Sequence, residues 1–187
     1  ETGDLCDVVG DGKNKCILPH TASTFWMEVA KGADGKNQVV KHIVSSKTMT
    51  WGAGEGDVNG DGRSDIIRPE AWFEAPPDPR AGEWKEHPLA LVGLKGKVAD
   101  TCQIVVCDVN GDGLNDIITG AAHDYGLFWY EQVKNPAGGS PAFKQHIIDQ
   151  SWSQVHSLVL ADISARRLGE AADIANAVLF LASDRAA

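Results

Sequence analysis

Two stretches of the chain, Asp57-Val-Asn-Gly-Asp-Gly-Arg-Ser-Asp and Asp108-Val-Asn-Gly-Asp-Gly-Leu-Asn-Asp, put oxygen-bearing side chains at positions one, three, five and nine of a short loop. Glycine at position six admits the positive φ of a tight reversal, and hard oxygen donors that converge in this way suit Ca²⁺ rather than zinc or copper. The expected ligands are Asp57, Asn59, Asp61 and Asp65 with the Arg63 carbonyl, and Asp108, Asn110, Asp112 and Asp116 with the Leu114 carbonyl. An EF-hand needs an acid at position twelve and a helix after it. These loops have Arg68 and Thr119 there, preceded by Ile-Ile pairs that read as strand, so the EF-hand and helical dockerin patterns both fail. The same Asp and Asn residues can also form Asx turns that hold a hairpin without any metal, and both readings stand at this point. A third stretch, from Asp7 to Lys15, has Val9 at position three and Lys15 at position nine. Two ligands remain there, an ammonium is expected in the cation's place, and no calcium is expected.

These loops recur because the chain repeats. Their starts, Asp7, Asp57 and Asp108, lie 50 and 51 residues apart. Each loop runs into an apolar pair (Ile17-Leu18, Ile66-Ile67, Ile117-Ile118), then a Trp-x-Glu (Trp26 and Glu28, Trp72 and Glu74, Trp129 and Glu131), then a histidine in an alternating segment (His42, His87, His146). Between the last two landmarks lie polar Gly/Pro stretches at 31–37, 76–82 and 134–141, where a hairpin must turn. A fourth apolar run precedes the next loop, clearest at 103–107 and 156–161. Four short strands per repeat of this length read as a propeller blade. The predicted fold is all-β: a partial β-propeller of about three four-stranded blades, followed by a short C-terminal α-helix. A closed propeller takes about four to eight blades, so three imply missing blades in the parent protein or an oligomer, with terminal sheet faces left open.

Composition narrows the function. Seventeen basic against 26 acidic residues give a net charge of −9, which disfavours nucleic acid and anionic membrane surfaces as partners. No run approaches the roughly 18 to 20 apolar residues that span a bilayer. The four cysteines, Cys6, Cys16, Cys102 and Cys107, have no tight metal spacing; Cys6 and Cys16 flank one turn and either bridge adjacent strands or pack as free thiols. Trp26, Trp72 and Trp129 share one repeat position, which argues for packing between blades, and the in-register histidines argue for a common structural hydrogen bond. Ala53, Gln103 and His156 fall on the strand expected nearest a central channel. Nothing in the chain resembles a nucleophile elbow, a phosphate-binding glycine loop or a Cys/His pair, so no catalytic residue is assigned.

From Asp7 to about Ile163 the D-x-N-G-D-G-x-x-D-I-I, W-x-E and W-K-x-H landmarks resemble FG-GAP/VCBS-type repeats of large secreted bacterial proteins, which form seven-bladed propellers. The resemblance implies an extracellular or periplasmic protein that binds calcium and a carbohydrate or protein partner, with no reaction of its own. A propeller of this type also occurs in a fungal sugar dehydratase, so a sugar lyase is the enzyme alternative, although the matching cupin region is absent here.

The repeat stops after Ala161-Asp162-Ile163. Residues 164–187 form a separate tail, and its stretch from Arg167 to Ala186 resembles the region near the C-terminus of short-chain dehydrogenases/reductases. That family's nucleotide-binding glycines and Tyr-x-x-x-Lys pair are missing, so neither NAD(P) binding nor hydride transfer carries over. Ile174, Val178 and Leu181 would share one face of a helix from near Glu170 to Ala182. A join between two genes would account for such a tail, and chance similarity in an Ala-rich amphipathic helix is the alternative.

Overall fold

The structure, a computed structural model, describes residues 3–135 and 139–158. The tail, with its expected helix and its dehydrogenase-like stretch, lies outside the described residues. Within them the fold is all-β. Twelve strands form three units of four: β1 (Asp4–Cys6), β2 (Lys15–His20), β3 (Ser23–Lys31) and β4 (Asn37–Ser45); β5 (Ala53–Gly56), β6 (Asp65–Ile67), β7 (Ala71–Glu74) and β8 (Lys85–Pro88); β9 (Gln103–Cys107), β10 (Asp116–Gly120), β11 (Tyr125–Val133) and β12 (Ala142–Ser153). Every unit is an antiparallel meander in which an Asp loop joins the first strand to the second. The apolar pairs fall on second strands, the Trp-x-Glu motifs on third strands and the histidines on fourth strands, as the landmarks predict.

Units two and three merge into one curled sheet of eight strands, ordered β12-β11-β10-β9-β5-β6-β7-β8. The weld is a parallel pairing of first strands, Ala53 with Gln103, Gly54 with Ile104 and Glu55 with Val105. Parallel first strands follow when each unit repeats the same path about a common centre, and the arrangement fits a propeller-like repeat. Sequence makes the weld possible at Gly54, where a Cβ would lie 1.8 Å from the carbonyl oxygen of Ile104. Only a residue without a side chain admits that approach. Gly52, at φ +122°, does the same against the Thr101 side chain.

Between units the core is apolar and repetitive. Val8, Ile17 and Trp26 of unit one pack against Ala53, Ile66, Ala71 and Phe73 of unit two. Val58, Ile67 and Trp72 then repeat the pattern against Ile104, Ile117, Phe128 and Tyr130 of unit three. Trp26 and Trp72 are fully buried, and truncating such a side chain costs about 3–5 kcal/mol. Trp129, the third member of the series, is half-buried on the face of unit three beside Val155 and Leu158. Arg68 is a feature the sequence did not announce. Completely buried, it donates to the carbonyls of His20 and Thr50 and to Thr24 Oγ1, tying unit one to unit two, and burial pushes its pKa down to about 10.

The opposite face of unit one is largely open, although Phe25 on it is buried beneath the Lys41 ammonium. Cross-strand registry puts Leu5, Cys16 and Met27 in one row, Leu18, Phe25 and Ile43 in another, and Val29 beside Val39, all on one side of the sheet. Leu5, Val29 and Val39 are about two-thirds exposed. The same registry decides between the two cysteine readings. Cys6 pairs with Lys15 while Cys16 pairs with Leu5, so the two thiols point to opposite faces; all four cysteines are free.

Replacing Gly54 by alanine should therefore lower the unfolding free energy by about 2–4 kcal/mol through the backbone clash. Alanine at Gly60, where φ is +77° and nothing lies within 4 Å of the added carbon, should cost only about 1–2 kcal/mol of left-handed strain. Urea melts of both variants give the comparison, and equal losses would mean that β5 and β9 are not welded.

Candidate functional site

The second and third Asp loops share one backbone cradle, and the first keeps two of its three amides, those of Asp11 and Gly12, on Asp7. Asp57 at position one accepts from the amides of Gly60 (2.8 Å) and Asp61 (3.0 Å) through Oδ1 and of Gly62 (2.8 Å) through Oδ2. Asp108 repeats this with Gly111 (2.7 Å), Asp112 (3.2 Å) and Gly113 (2.9 Å). At position three, Asn59 and Asn110 each accept from the amide of position five and donate to its carboxylate, Asp61 or Asp112. At position seven, the amides of Arg63 and Leu114 donate to those same carboxylates. The Arg63 guanidinium also lies 2.6 Å from Asp61 Oδ2. Positions one, three, five and seven are thus gathered around one exposed turn.

Position nine sits lower. Asp65 is fully buried, with Oδ2 accepting from Val58 N–H (3.0 Å) and Oδ1 from Ala75 N–H (2.9 Å). Asp116 does the same with Val109 (3.1 Å) and Gln132 (2.7 Å). Burial pushes the Asp65 carboxyl up to about 7, with the charges of Asp61 and Asp57 adding to the rise, and burial raises Asp116 too. Among the described residues no group of three or more His, Cys, Asp or Glu side chains converges as a metal cluster. The groups gathered at these two turns are carboxylates, side-chain amides and backbone N–H groups, with the position-nine carboxylates held as pegs under the loop.

The first loop differs at its centre. Lys15 reaches from position nine, its side chain 2% exposed, and its Nζ donates to Asp7 (3.2 Å), to Asp11 and to the carbonyl of Lys13 (2.6 Å). Those are positions one, five and seven, and an ammonium is seated among them.

Outside the loops, the recurring Trp, His and Glu form one motif three times. His42 stacks on Trp26 with ring centroids 3.9 Å apart, His87 on Trp72 at 4.0 Å and His146 on Trp129 at 4.5 Å. Each ring then places Nε2 on the Glu of the Trp-x-Glu, at 3.0 Å from Glu28, 2.7 Å from Glu74 and 2.7 Å from Glu131. The next unit reaches back to this motif. Arg80 of unit two donates to both oxygens of Glu28 and to Asp11, and Ser140 of unit three bonds the other ring nitrogen of His87. The sequence signalled the motif but not Arg80 or Ser140, which stand in the variable turns.

Of the residues expected near a centre, Ala53 and Gln103 do pair on the first strands, and Gln103 Oε1 accepts from Leu158 N–H (3.0 Å). His156 lies against His123, whose Nδ1 is 3.3 Å from Asp100. A groove of about 600 Å³ is lined by residues of both unit two and unit three, among them Pro88, Leu89, Tyr130, Pro141 and Phe143.

In comparisons with known proteins, residues 103–140 match the FG-GAP repeat family. That stretch runs from β9 through the third Asp loop and β11 to the turn before β12, so the likeness takes in the third Asp loop and the Trp129-x-Glu131 motif. The chain is thus similar to a class of repeat that builds propeller-like folds and is generally non-enzymatic. Neither the curated proteins nor the solved structures provide a match.

The pairs with glutamate make stability sensitive to acid. Hydrogen bonds from Arg80 first, and the His42 contact after, hold Glu28 below the usual glutamate range; His87 first does so for Glu74. A depressed carboxyl stabilises fully above its unfolded value of about 4.3 and ceases to do so as pH falls through the folded value. Stability should therefore fall below about pH 4–5, and a Glu28→Gln/Glu74→Gln chain should be weaker at pH 7 with a flatter profile between about pH 5 and 3. Denaturant melts across that range give the answer, and an unchanged slope would remove these pairs from the acid response.

Proposed function

We propose that the three units are blades of an FG-GAP-type propeller in which the second and third Asp loops each hold a calcium ion, making the chain part of an extracytoplasmic binding scaffold with no chemistry of its own. The observation that carries this reading is Lys15. In the one loop that lacks the full oxygen pattern, a cationic group is seated on the carboxylates of positions one and five and the carbonyl of position seven. The other two loops keep those carboxylates, add an amide oxygen at position three, and carry Asp rather than Lys at position nine. With a carboxylate replacing the ammonium, the local charge becomes more negative, and a hard dication with a preference for six to eight oxygens is what that donor set fits.

At the second loop Asp57, Asn59, Asp61 and the Arg63 carbonyl would hold the ion, with Asp65 beneath; at the third, Asp108, Asn110, Asp112 and the Leu114 carbonyl, with Asp116 beneath. Bound calcium would stiffen the turn between the first two strands of a blade and neutralise acids that otherwise repel one another. A carbohydrate or a protein is the partner class that the FG-GAP resemblance supports. A second reading has its own support, since each position-one carboxylate already accepts three amide hydrogen bonds. On that reading the loops are metal-free Asx staples.

Calorimetric titration with calcium separates the two. Two sites are expected, with Asp61→Asn and Asp112→Asn each removing one. A chain carrying Val9→Asn and Lys15→Asp should gain a third. Heat that matches dilution, in a chain whose circular dichroism shows it folded, would leave the staple reading standing.

A further inference from the structure

Units two and three are joined at their Asp loops as well as along their first strands. Asn115, at position eight of the third loop, donates from Nδ2 to the carbonyl of Asp57, position one of the second loop, at 2.6 Å. Gln132, a buried residue of β11, donates from Nε2 to the carbonyl of Val58, position two of the second loop, at 3.0 Å, and to the carbonyl of Asn115. Its backbone N–H donates to Asp116, whose other oxygen accepts from Val109. The start of the second loop and positions two, eight and nine of the third therefore belong to one continuous hydrogen-bonded path through a single buried side chain.

Unit two has no such bracket toward unit one. Ala75 stands three residues after Trp72 as Gln132 stands three after Trp129, and it makes the same N–H bond to Asp65, yet it has no side-chain amide to send across. Ser64 stands where Asn115 stands. The bracket is specific to the pair of loops with the full oxygen pattern, and it ends at the loop filled by Lys15.

We propose that Asn115 and Gln132 are positioning residues that couple the second and third loops, so that a divalent cation at either raises the affinity of the other. The proposal rests on the calcium reading given above. A cation at the third loop fixes Asp116 and the backbone around Asn115, and thereby the two amide donors that hold the Asp57 and Val58 carbonyls. Less ordering is then left for the second loop when its own ion binds, and the effect is reciprocal because coupling free energy is shared.

The test is a coupling cycle on the full chain by calcium calorimetry at about 0.15 M salt, where repulsion between exposed charges is screened beyond about 8 Å. Asp112→Asn empties the third loop and Asp61→Asn the second. We expect each to weaken binding at the remaining loop by about fivefold or more, by equal factors, as coupled sites require. In a Gln132→Ala background, which copies Ala75, both effects should shrink below about twofold. Asn115→Ser, which copies Ser64, gives the same test if Gln132→Ala does not fold. A merely structural role would lower the melting temperature and leave the coupling factor as it was, which would overturn the proposal. Two sites that are independent in the unsubstituted chain would also overturn it while leaving the calcium reading intact; an absence of calcium binding would overturn both.

Discussion

The contact on which the rest of this structure depends is the parallel pairing of β5 with β9. It brings the first strands of two repeats within backbone hydrogen-bonding distance, and it does so only because Gly52 and Gly54 offer no side chain to hold them apart. Once those strands lie side by side in the same direction, each meander fans outward from them and the two units face each other along their whole length. Trp72 is then sealed against unit three, and the loops that follow β5 and β9 come close enough for Asn115 to reach Asp57. A propeller-like packing thus begins at its innermost strands, where glycine is required, and is completed farther out by large apolar side chains.

The two kinds of repeated polar group answer different needs. The Trp, His and Glu motif lies on outer strands, where a stacked ring fills volume and its Nε2 satisfies a carboxylate that is only partly solvated. The Asp loops lie where two first strands turn outward, and their glycines at positions four and six adopt positive φ so that successive amides face the position-one carboxylate. Lys15 departs from the pattern in a chemically consistent manner. It brings a fixed positive charge to a place where the other loops concentrate negative charge, so that the first turn carries its counter-ion covalently.

Much of this could be read from residue order. The period, the four strands per unit, the strand that bears each landmark and the ammonium in the first loop are all legible because each is set by local spacing. The pegging role of Asp65 and Asp116 was not, since a carboxylate at position nine looks the same in sequence whether it faces an ion or two amides. Arg68, Arg80, Ser140 and Gln132 were also hidden. Each reaches a residue 18 to 74 places away in the chain, and none recurs in register, so no period reveals them. The pairing of Cys6 with Lys15 likewise depends on strand registry, which two cysteines flanking a turn do not disclose.

The two seams are built differently, and that difference bears on how such a chain gains or loses units. Units two and three share a strand ladder, so parting them would leave rows of amides and carbonyls unmade. Unit one is joined to unit two by side chains: the Trp26 cluster, the Arg68 staple and the Arg80 clamp. A recombination boundary drawn there severs no ladder, and a foreign repeat grafted at that boundary would have to present a tryptophan face, a glutamate and an aspartate for Arg80, and a carbonyl and a hydroxyl for Arg68. The first seam is the place where the array would part without breaking a strand ladder, and the welded pair that follows it would stay together.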